Sequence, residues 1–375
     1  MSLSQTAPAA SFITSNDDLA AACGRWSTAG VIAVDTEFVR ERTYYPIPAL
    51  LQVNDGDSAA MVDPLSLSDF TPLAGVLRDR SIVKVMHAWG EDLEVLELLI
   101  GDTPRGVFDT QLASAFVGHG HSLGYRALVK ELTDVELDKG ETRSKWLRRP
   151  LSPAQLRYAA LDVVYLLPMH RRLSRELAVL GRVAWFEEES EHQRRARVVD
   201  KQPAAAYLKV RRRGALSPPL HAVLRGLAGW RETEAMARDI PRRHLLSDEV
   251  LMALAKAPPN DATALRRVRG LSERAAARYG QSLLATIETA RGQGPGALDA
   301  PLNLRPHAGT LDGLRQIVRR VADALRLPPA LLASRRGLEA LLISVLGNDD
   351  IPPEFRGWRF EVVTKQLLDG IHGSH

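Results

Sequence analysis

The stretch Val31-Ile-Ala-Val-Asp35-Thr-Glu37-Phe38 runs four mostly apolar residues into two carboxylates at i and i+2. Its length and β-rich composition suit a buried strand. Alternate side chains of a strand share a face, so Asp35 and Glu37 point one way and Thr36 the other. Two acids side by side at a strand end repel unless a cation lies between them. Hard oxygen donors suit Mg²⁺ or Mn²⁺. By itself the stretch fits two readings: a strand ending in a polar turn, or half of a metal site.

The neighbouring sequence builds a domain around that strand. Ser15-Asn-Asp-Asp precedes residues 19–26 as a capped helix. A charged and aromatic loop, residues 39–48, leads to a second strand at 49–53. After a turn at 54–57 comes a third strand at 59–62. The short turn makes these two strands an antiparallel pair. Residues 73–77 read as a helix and 81–87 as a strand that breaks at Ala88-Trp89-Gly90. A helix with acids in its first turn follows over 91–100. Residues 108–116 read as a strand tip entering a helix, 123–132 as a helix and 137–145 as a polar connector. Ser152-Pro153-Ala154-Gln155 provides an N-cap serine, a first-turn proline and an N3 glutamine for a helix reaching about residue 167. Strands alternating with helices after an initial hairpin indicate an α/β domain with a mixed central sheet, over residues 1–200.

Beyond residue 200 strand-like runs disappear and Ala, Leu and Arg recur at helical spacing. Two small all-α domains are expected, at 207–290 and 310–375, joined by a Gly/Pro-rich linker at 291–309. Charge follows the same division. Residues 1–200 hold 22 Lys+Arg against 28 Asp+Glu, and residues 201–375 hold 27 against 17. An acidic part beside a basic one fits a metal-dependent active site tethered to a module that grips nucleic acid. Ordinary variation between domains would give the same totals. Arg211-Arg-Arg213 is the densest basic cluster there. Cys23 is the sole cysteine, so an intrachain disulfide and cysteine-based zinc sites are excluded. One cysteine fits a reducing cytoplasm. No signal-peptide pattern opens the chain and no run of about 18 apolar residues is present. A cytoplasmic protein without a membrane span is expected.

Two further acids complete a constellation. Asp92 falls in the first turn of the helix that follows the strand at 81–87, a position that also suits an ordinary helix-terminal acid. Tyr158 and Asp162 are i and i+4, on one face of an otherwise apolar helix. A lone Asp there needs a partner, whether a metal or an arginine such as Arg157. Together the residues give Asp-x-Glu on a strand, Asp at a strand-to-helix junction and Tyr-x-x-x-Asp on a late helix. Four carboxylates converging at one sheet end suit two-metal phosphodiester hydrolysis, with no covalent nucleophile. Tyr158 would orient the attacking water.

These segments resemble the three exonuclease motifs of the DEDD superfamily, in its tyrosine-bearing branch, and most closely the ribonuclease D family. Residues 35–53 are similar to that family's first motif along their whole length. His87-Ala-Trp-Gly-Glu-Asp92-Leu-Glu is similar to the second, with Trp89 where the family often has a small residue. Residues 137–152, leading to Tyr158-Ala-Ala-Leu-Asp162-Val-Val-Tyr-Leu, are similar to the third. Residues 207–290, with Gly270-Leu-Ser-Glu-Arg and Tyr279-Gly280, resemble an HRDC domain, and 310–375 stands where the family carries a second, divergent one.

The resemblance implies a ribonuclease H-like α/β fold and a 3′→5′ exoribonuclease acting on RNA with an accessible 3′ end, such as tRNA precursors. It implies two divalent ions, Mg²⁺ or Mn²⁺, and no obligate protein partner. Asp35, Glu37, Asp92 and Asp162 would ligate the metals, and Tyr158 would join them as a catalytic residue. Phe38 would stack on a terminal base, and Arg143, Trp146 and Arg149 would reach phosphates or a base. Packing in the core or on the surface explains these four equally well. His87 reads as a packing residue, because Mg²⁺ prefers oxygen. Competing readings are a DNA 3′→5′ exonuclease and a non-catalytic RNA-binding scaffold; the intact acids weigh against the scaffold.

Overall fold

Six strands form one mixed sheet: β1 (Ala10–Ile13), β2 (Val31–Val39), β3 (Ile47–Asn54), β4 (Ala59–Val62), β5 (Val83–Met86) and β6 (Val107–Asp109). In space their order is β1-β4-β3-β2-β5-β6. The pairs β2–β3 and β3–β4 are antiparallel, while β1–β4, β2–β5 and β5–β6 are parallel. The computed structural model describes residues 10–137, 144–200, 202–210, 216–293 and 304–373. Arg143, Arg211-Arg-Arg213 and much of the expected linker lie outside them. Strand β1 falls in what reads in sequence as a small-residue tail. Only pairing with β4 makes it a strand, because its four residues cannot order themselves.

Alternation along the strands separates two layers. Ile32, Val34, Leu51 and Val53 enter a core with Trp26, Leu73, Leu77, Trp89, Leu93 and Leu96. That face is covered by α1 (Asn16–Trp26), α2 (Thr71–Arg78) and α3 (Asp92–Ile100). The chain continues through α4 (Thr110–Val117), α5 (Tyr125–Thr133), α6 (Pro153–Val164), α7 (Leu166–Val179) and α8 (Val183–Asp200). The opposite face receives α6, which packs on β2, β3 and β4, and α7, which packs on β2 and β5. Helix α6 begins as its sequence indicates. Ser152 Oγ accepts from the Gln155 N–H at 3.2 Å, and Gln155 Oε1 accepts from the Ser152 N–H at 2.9 Å. The helix expected to reach residue 167 ends at Val164, and α7 begins after Tyr165.

The chain divides into two compact units, one of residues 1–39, 46–192 and 305–375, the other of residues 40–45 and 193–304. This differs from the expected domain plan in two places. The segment 310–375 is helical, as α14 (Ala308–Leu325), α15 (Pro329–Leu332), α16 (Arg335–Gly347) and α17 (Lys365–His372), but it is not a separate unit. Arg182 donates to the carbonyls of Phe116 and Leu325, each at 2.5 Å, and Arg359 pairs with Glu189 at 2.5 Å. Trp358 lies 5.2 Å from the Phe116 ring and stacks on Trp185 at 5.4 Å. Gly357 stands beside them at φ 60°, a left-handed conformation that favours glycine.

The second difference is residues 40–45, which belong to the other unit. That unit contains α9 (Pro218–Arg238), α10 (Arg242–Leu245), α11 (Asp248–Lys256), α12 (Ala262–Arg266) and α13 (Glu273–Gln293). Tyr44 is buried in its core. The Tyr44 hydroxyl donates to Glu232 Oε1 at 2.5 Å, and Arg242 pairs with Glu232 while lying over the Tyr44 ring. Asp239 Oδ1 accepts from the Tyr44 and Tyr45 N–H groups, each at 2.9 Å. The charged and aromatic loop at 39–48 thus gives an apolar ring with a buried carboxylate partner to a helical core.

Candidate active site

Strands β2, β5 and β6 run parallel, so their carboxyl ends share one edge, where open α/β sheets place their ligands. Asp35 and Glu37 stand at that end of β2, on the face covered by α6. Asp162 arrives from α6 on this same side. Asp92 arrives from α3, on the other face. The two layers meet through Thr36, whose hydroxyl donates to Asp92 Oδ1 at 2.5 Å. Thr36 does point away from Asp35 and Glu37, and that orientation is what lets it hold Asp92.

The turn before Asp92 is set by backbone geometry. Ala88 has φ 54°, and Asp109 Oδ1 accepts from its N–H at 3.0 Å. Asp109 also caps α4 through the N–H groups of Gln111 and Leu112. Trp89 then turns into the α3-side core. His87 is packed rather than free: its Nδ1 is 2.9 Å from Thr110 Oγ1 and its ring meets Tyr125 edge-on at 5.6 Å. Burial holds His87 down at about 4, so it is neutral at pH 7.

The acids feel burial first and then one another. Burial, followed by the charges of Asp162 and Asp92, pushes Glu37 up to about 8. Asp162 is pushed up to about 7 by burial, opposed by its hydrogen bond from Tyr158. Asp92 is pushed up to about 6 by burial, opposed by the Thr36 hydroxyl. Asp35 is driven well above the carboxylate range by burial, then by Asp92, Asp162 and Glu37. The four groups therefore converge, as their sequence pattern suggests. Among the described residues, no three His, Cys, Asp or Glu side chains already close around an ion position. An all-carboxylate donor set, half-buried and mutually repelling, fits hard divalent cations.

Tyr158 lies on α6 one turn before Asp162 and hydrogen bonds to it. Burial and then the nearby carboxylates raise its hydroxyl far above neutral pH, so it stays protonated and donates. Arg157 is exposed, and Asp162 takes Tyr158 as its partner instead. Tyr125 is a contributor with no signal in sequence. Its hydroxyl donates to the Leu161 carbonyl at 2.7 Å and fixes the α6 turn that precedes Asp162.

Two expected nucleic-acid contacts turn inward. Trp146 is 2% exposed and packs 6.0 Å from the Tyr158 ring, so it supports the tyrosine rather than offering a stacking surface. Arg149 uses all its donors within the fold. Nε and Nη2 grip Asp63 at 2.7 and 2.6 Å, Nη2 also reaches the Ala49 carbonyl at 2.6 Å, and Nη1 reaches the Trp146 and Arg148 carbonyls. Between Glu37 and Phe38 the β2–β3 register skips Ala49, a β-bulge. Arg149 takes up the carbonyl of that extra residue. Phe38 follows the bulge and is half-buried.

The helical unit holds a cavity of 1080 Å³ with a basic wall that includes Arg231, Arg243, Lys256 and Arg269. Arg231 is committed to the Leu246 carbonyl and Asp248, each at 2.9 Å. Arg243, Lys256 and Arg269 are exposed.

The chain is similar to known proteins over nearly its whole length. A family described as 3′-5′ exonuclease matches residues 10–178, and the HRDC domain matches residues 221–287. A ribonuclease D from Pseudomonas paraeruginosa is 40% identical, over 98% of this chain and 99% of its own. The ribonuclease D of Escherichia coli is 36% identical, over 95% of this chain and 96% of its own. The crystal structure of Escherichia coli RNase D, described as an exoribonuclease involved in structured RNA processing, superposes with a TM-score of 0.88. It is 33% identical and covers 97% of this chain and 99% of that one.

Proposed function

The chain belongs to the ribonuclease D family of exoribonucleases, and on that premise we propose that it trims RNA from the 3′ end by two-metal hydrolysis, releasing nucleoside 5′-monophosphates. The observation that carries this reading is the set of four converging carboxylates whose burial and mutual repulsion call for cations. Asp35, Glu37, Asp92 and Asp162 would hold two Mg²⁺ or Mn²⁺ ions. Bound there, the ions would lower the pKa of a water and stabilise the leaving 3′-oxygen.

The residues of the chain do the rest. Thr36 orients Asp92 through its hydroxyl. Tyr158, protonated at working pH, would turn its hydroxyl from Asp162 to the oxygen of the attacking water and align it with the scissile phosphorus. Trp146 backs the Tyr158 ring and limits its rotation. Phe38, half-buried beside Glu37, supports stacking of the terminal base, a contact tolerant of sequence. Arg143 precedes the Tyr158 helix in sequence and is assigned to the phosphate backbone.

The exposed cations of the helical unit support a second grip on the RNA backbone. Structured RNAs such as tRNA precursors are the proposed substrates, and the cytoplasm the proposed compartment. No helix among the described residues is long and apolar enough to cross a membrane. We also assign residues 310–375 a divergent HRDC-like ancestry.

A 5′-labelled RNA, incubated with Mg²⁺ or Mn²⁺, tests the proposal. The expected result is a ladder shortening from the 3′ end, abolished by EDTA and by Asp35→Asn. Trimming that survives either treatment overturns the mechanism. Single-stranded DNA degraded much faster than RNA overturns the substrate class.

A further inference from the structure

Gln52 lies at the centre of β3 with its side chain wholly enclosed, 0% exposed. Neither its carboxamide oxygen nor its nitrogen has a hydrogen-bond partner. Buried polar side chains are nearly always paired, and leaving one unpaired costs about 1–3 kcal/mol per group. An apolar residue would fit the strand better, as Leu51 and Val53 do on the other face. The carboxamide therefore calls for a function that appears in another state of the site.

Its surroundings indicate which state. Gln52 is the direct cross-strand partner of Asp35 in the β2–β3 ladder. Directly opposed residues have Cβ atoms about 4.5–5.5 Å apart, within reach of a glutamine side chain. Two residues further along the same face, Asn54 Nδ2 donates to the Val163 carbonyl of α6 at 3.4 Å. The Gln52 carboxamide is thus enclosed between β3 and the helix that carries Tyr158 and Asp162. It is a neutral donor among acids, with no lysine or arginine available on its face of β2 or β3.

We propose that Gln52 is a positioning residue for Asp35, its Nε2–H donating to the Asp35 carboxylate when that group binds a divalent ion. This rests on the metal-dependent reading above. A carboxylate that ligates a metal is itself held by hydrogen bonds from behind, and removing such a partner costs about 10–100-fold in metal affinity or activity. No charge is needed on the donor. A lysine there would compete with the cation, whereas an amide orients the ligand without neutralising it.

The test uses the full chain with Gln52→Leu, and Gln52→Met as a longer apolar replacement. Mn²⁺ binding without RNA is measured by electron paramagnetic resonance, alongside the melting temperature of the metal-free protein. The expected result is a Mn²⁺ dissociation constant raised about 10–100-fold with the metal-free melting temperature unchanged or higher. Unaltered Mn²⁺ affinity in both variants overturns the proposal. So does a lowered metal-free melting temperature in both, which would assign the carboxamide to the fold. If the wild type itself binds no Mn²⁺, the metal-dependent function fails instead, whatever the variants do.

Discussion

Replacing Glu37 with glutamine should stabilise the metal-free protein at pH 8 while abolishing its activity. Burial first, then Asp162 and Asp92, raises Glu37 from 4.5 to about 8. A folded pKa above the unfolded one means that the native state holds the proton more tightly. The resulting stability is complete below about 4.5 and is lost as pH rises through about 8. At about 1.36 kcal/mol for each pH unit, the ceiling on that loss is about 5 kcal/mol. Glu37 is half-buried, and screening by water reduces this to on the order of 2 kcal/mol. For a chain of this size that is a melting-temperature change of about 2–3 °C. The carboxamide keeps the shape and carries no charge at any pH. Differential scanning calorimetry in EDTA should give equal melting temperatures for wild type and Glu37→Gln at pH 4.5. The wild type should then fall progressively behind up to pH 8. Mg²⁺ at 100 times its dissociation constant should restore about 2.7 kcal/mol to the wild type and much less to the variant. Parallel melting profiles across pH 4.5–8 would refute the claim that ionised acids strain this site.

Three other perturbations follow the same logic. Thr36→Val keeps a β-branched side chain but removes the donor to Asp92; trimming rate at limiting Mg²⁺ should fall about 10–100-fold, with partial recovery at high Mg²⁺, and an unchanged Mg²⁺ dependence would contradict the coupling. Arg149→Lys keeps the charge but cannot reproduce the forked grip on Asp63 and the bulge carbonyl; thermal unfolding should reveal a loss of about 1–3 kcal/mol, whereas weakened RNA binding at wild-type stability would restore Arg149 as a substrate contact. The pair Lys256→Glu and Arg269→Glu should lower RNA affinity and flatten its dependence on salt by about one to two in slope, without changing cleavage of a dinucleotide.

The core of the candidate active site was legible in the sequence because its local rules are strict. A strand period of two puts Asp35 and Glu37 together, a helical step of four pairs Tyr158 with Asp162, and the Ser152–Gln155 capping box starts α6 where its residues indicate. Thr36 was legible only as the residue facing the other way. Its hydroxyl acquires a role once α3 packs on that face and presents Asp92.

Where the reading from sequence departed from the structure, the deciding interactions join residues far apart in the chain. Arg149 and Trp146 look like substrate contacts because they precede the catalytic helix; Asp63, 86 positions before Arg149, and the bulged carbonyl of Ala49 draw the arginine inward. Tyr44 follows the first acidic motif yet packs into the helical core through Glu232, 188 positions later. Helices 310–375 have the texture of an independent domain, but Arg182, Glu188 and Glu189 bind them into the first unit. The sequence by itself determined which residues could carry the chemistry, because spacing along a strand or helix dictates which side chains share a face. Only the tertiary structure decided which polar side chains serve the substrate and which serve the fold, because each hydrogen-bonding group binds whatever partner packing brings within reach.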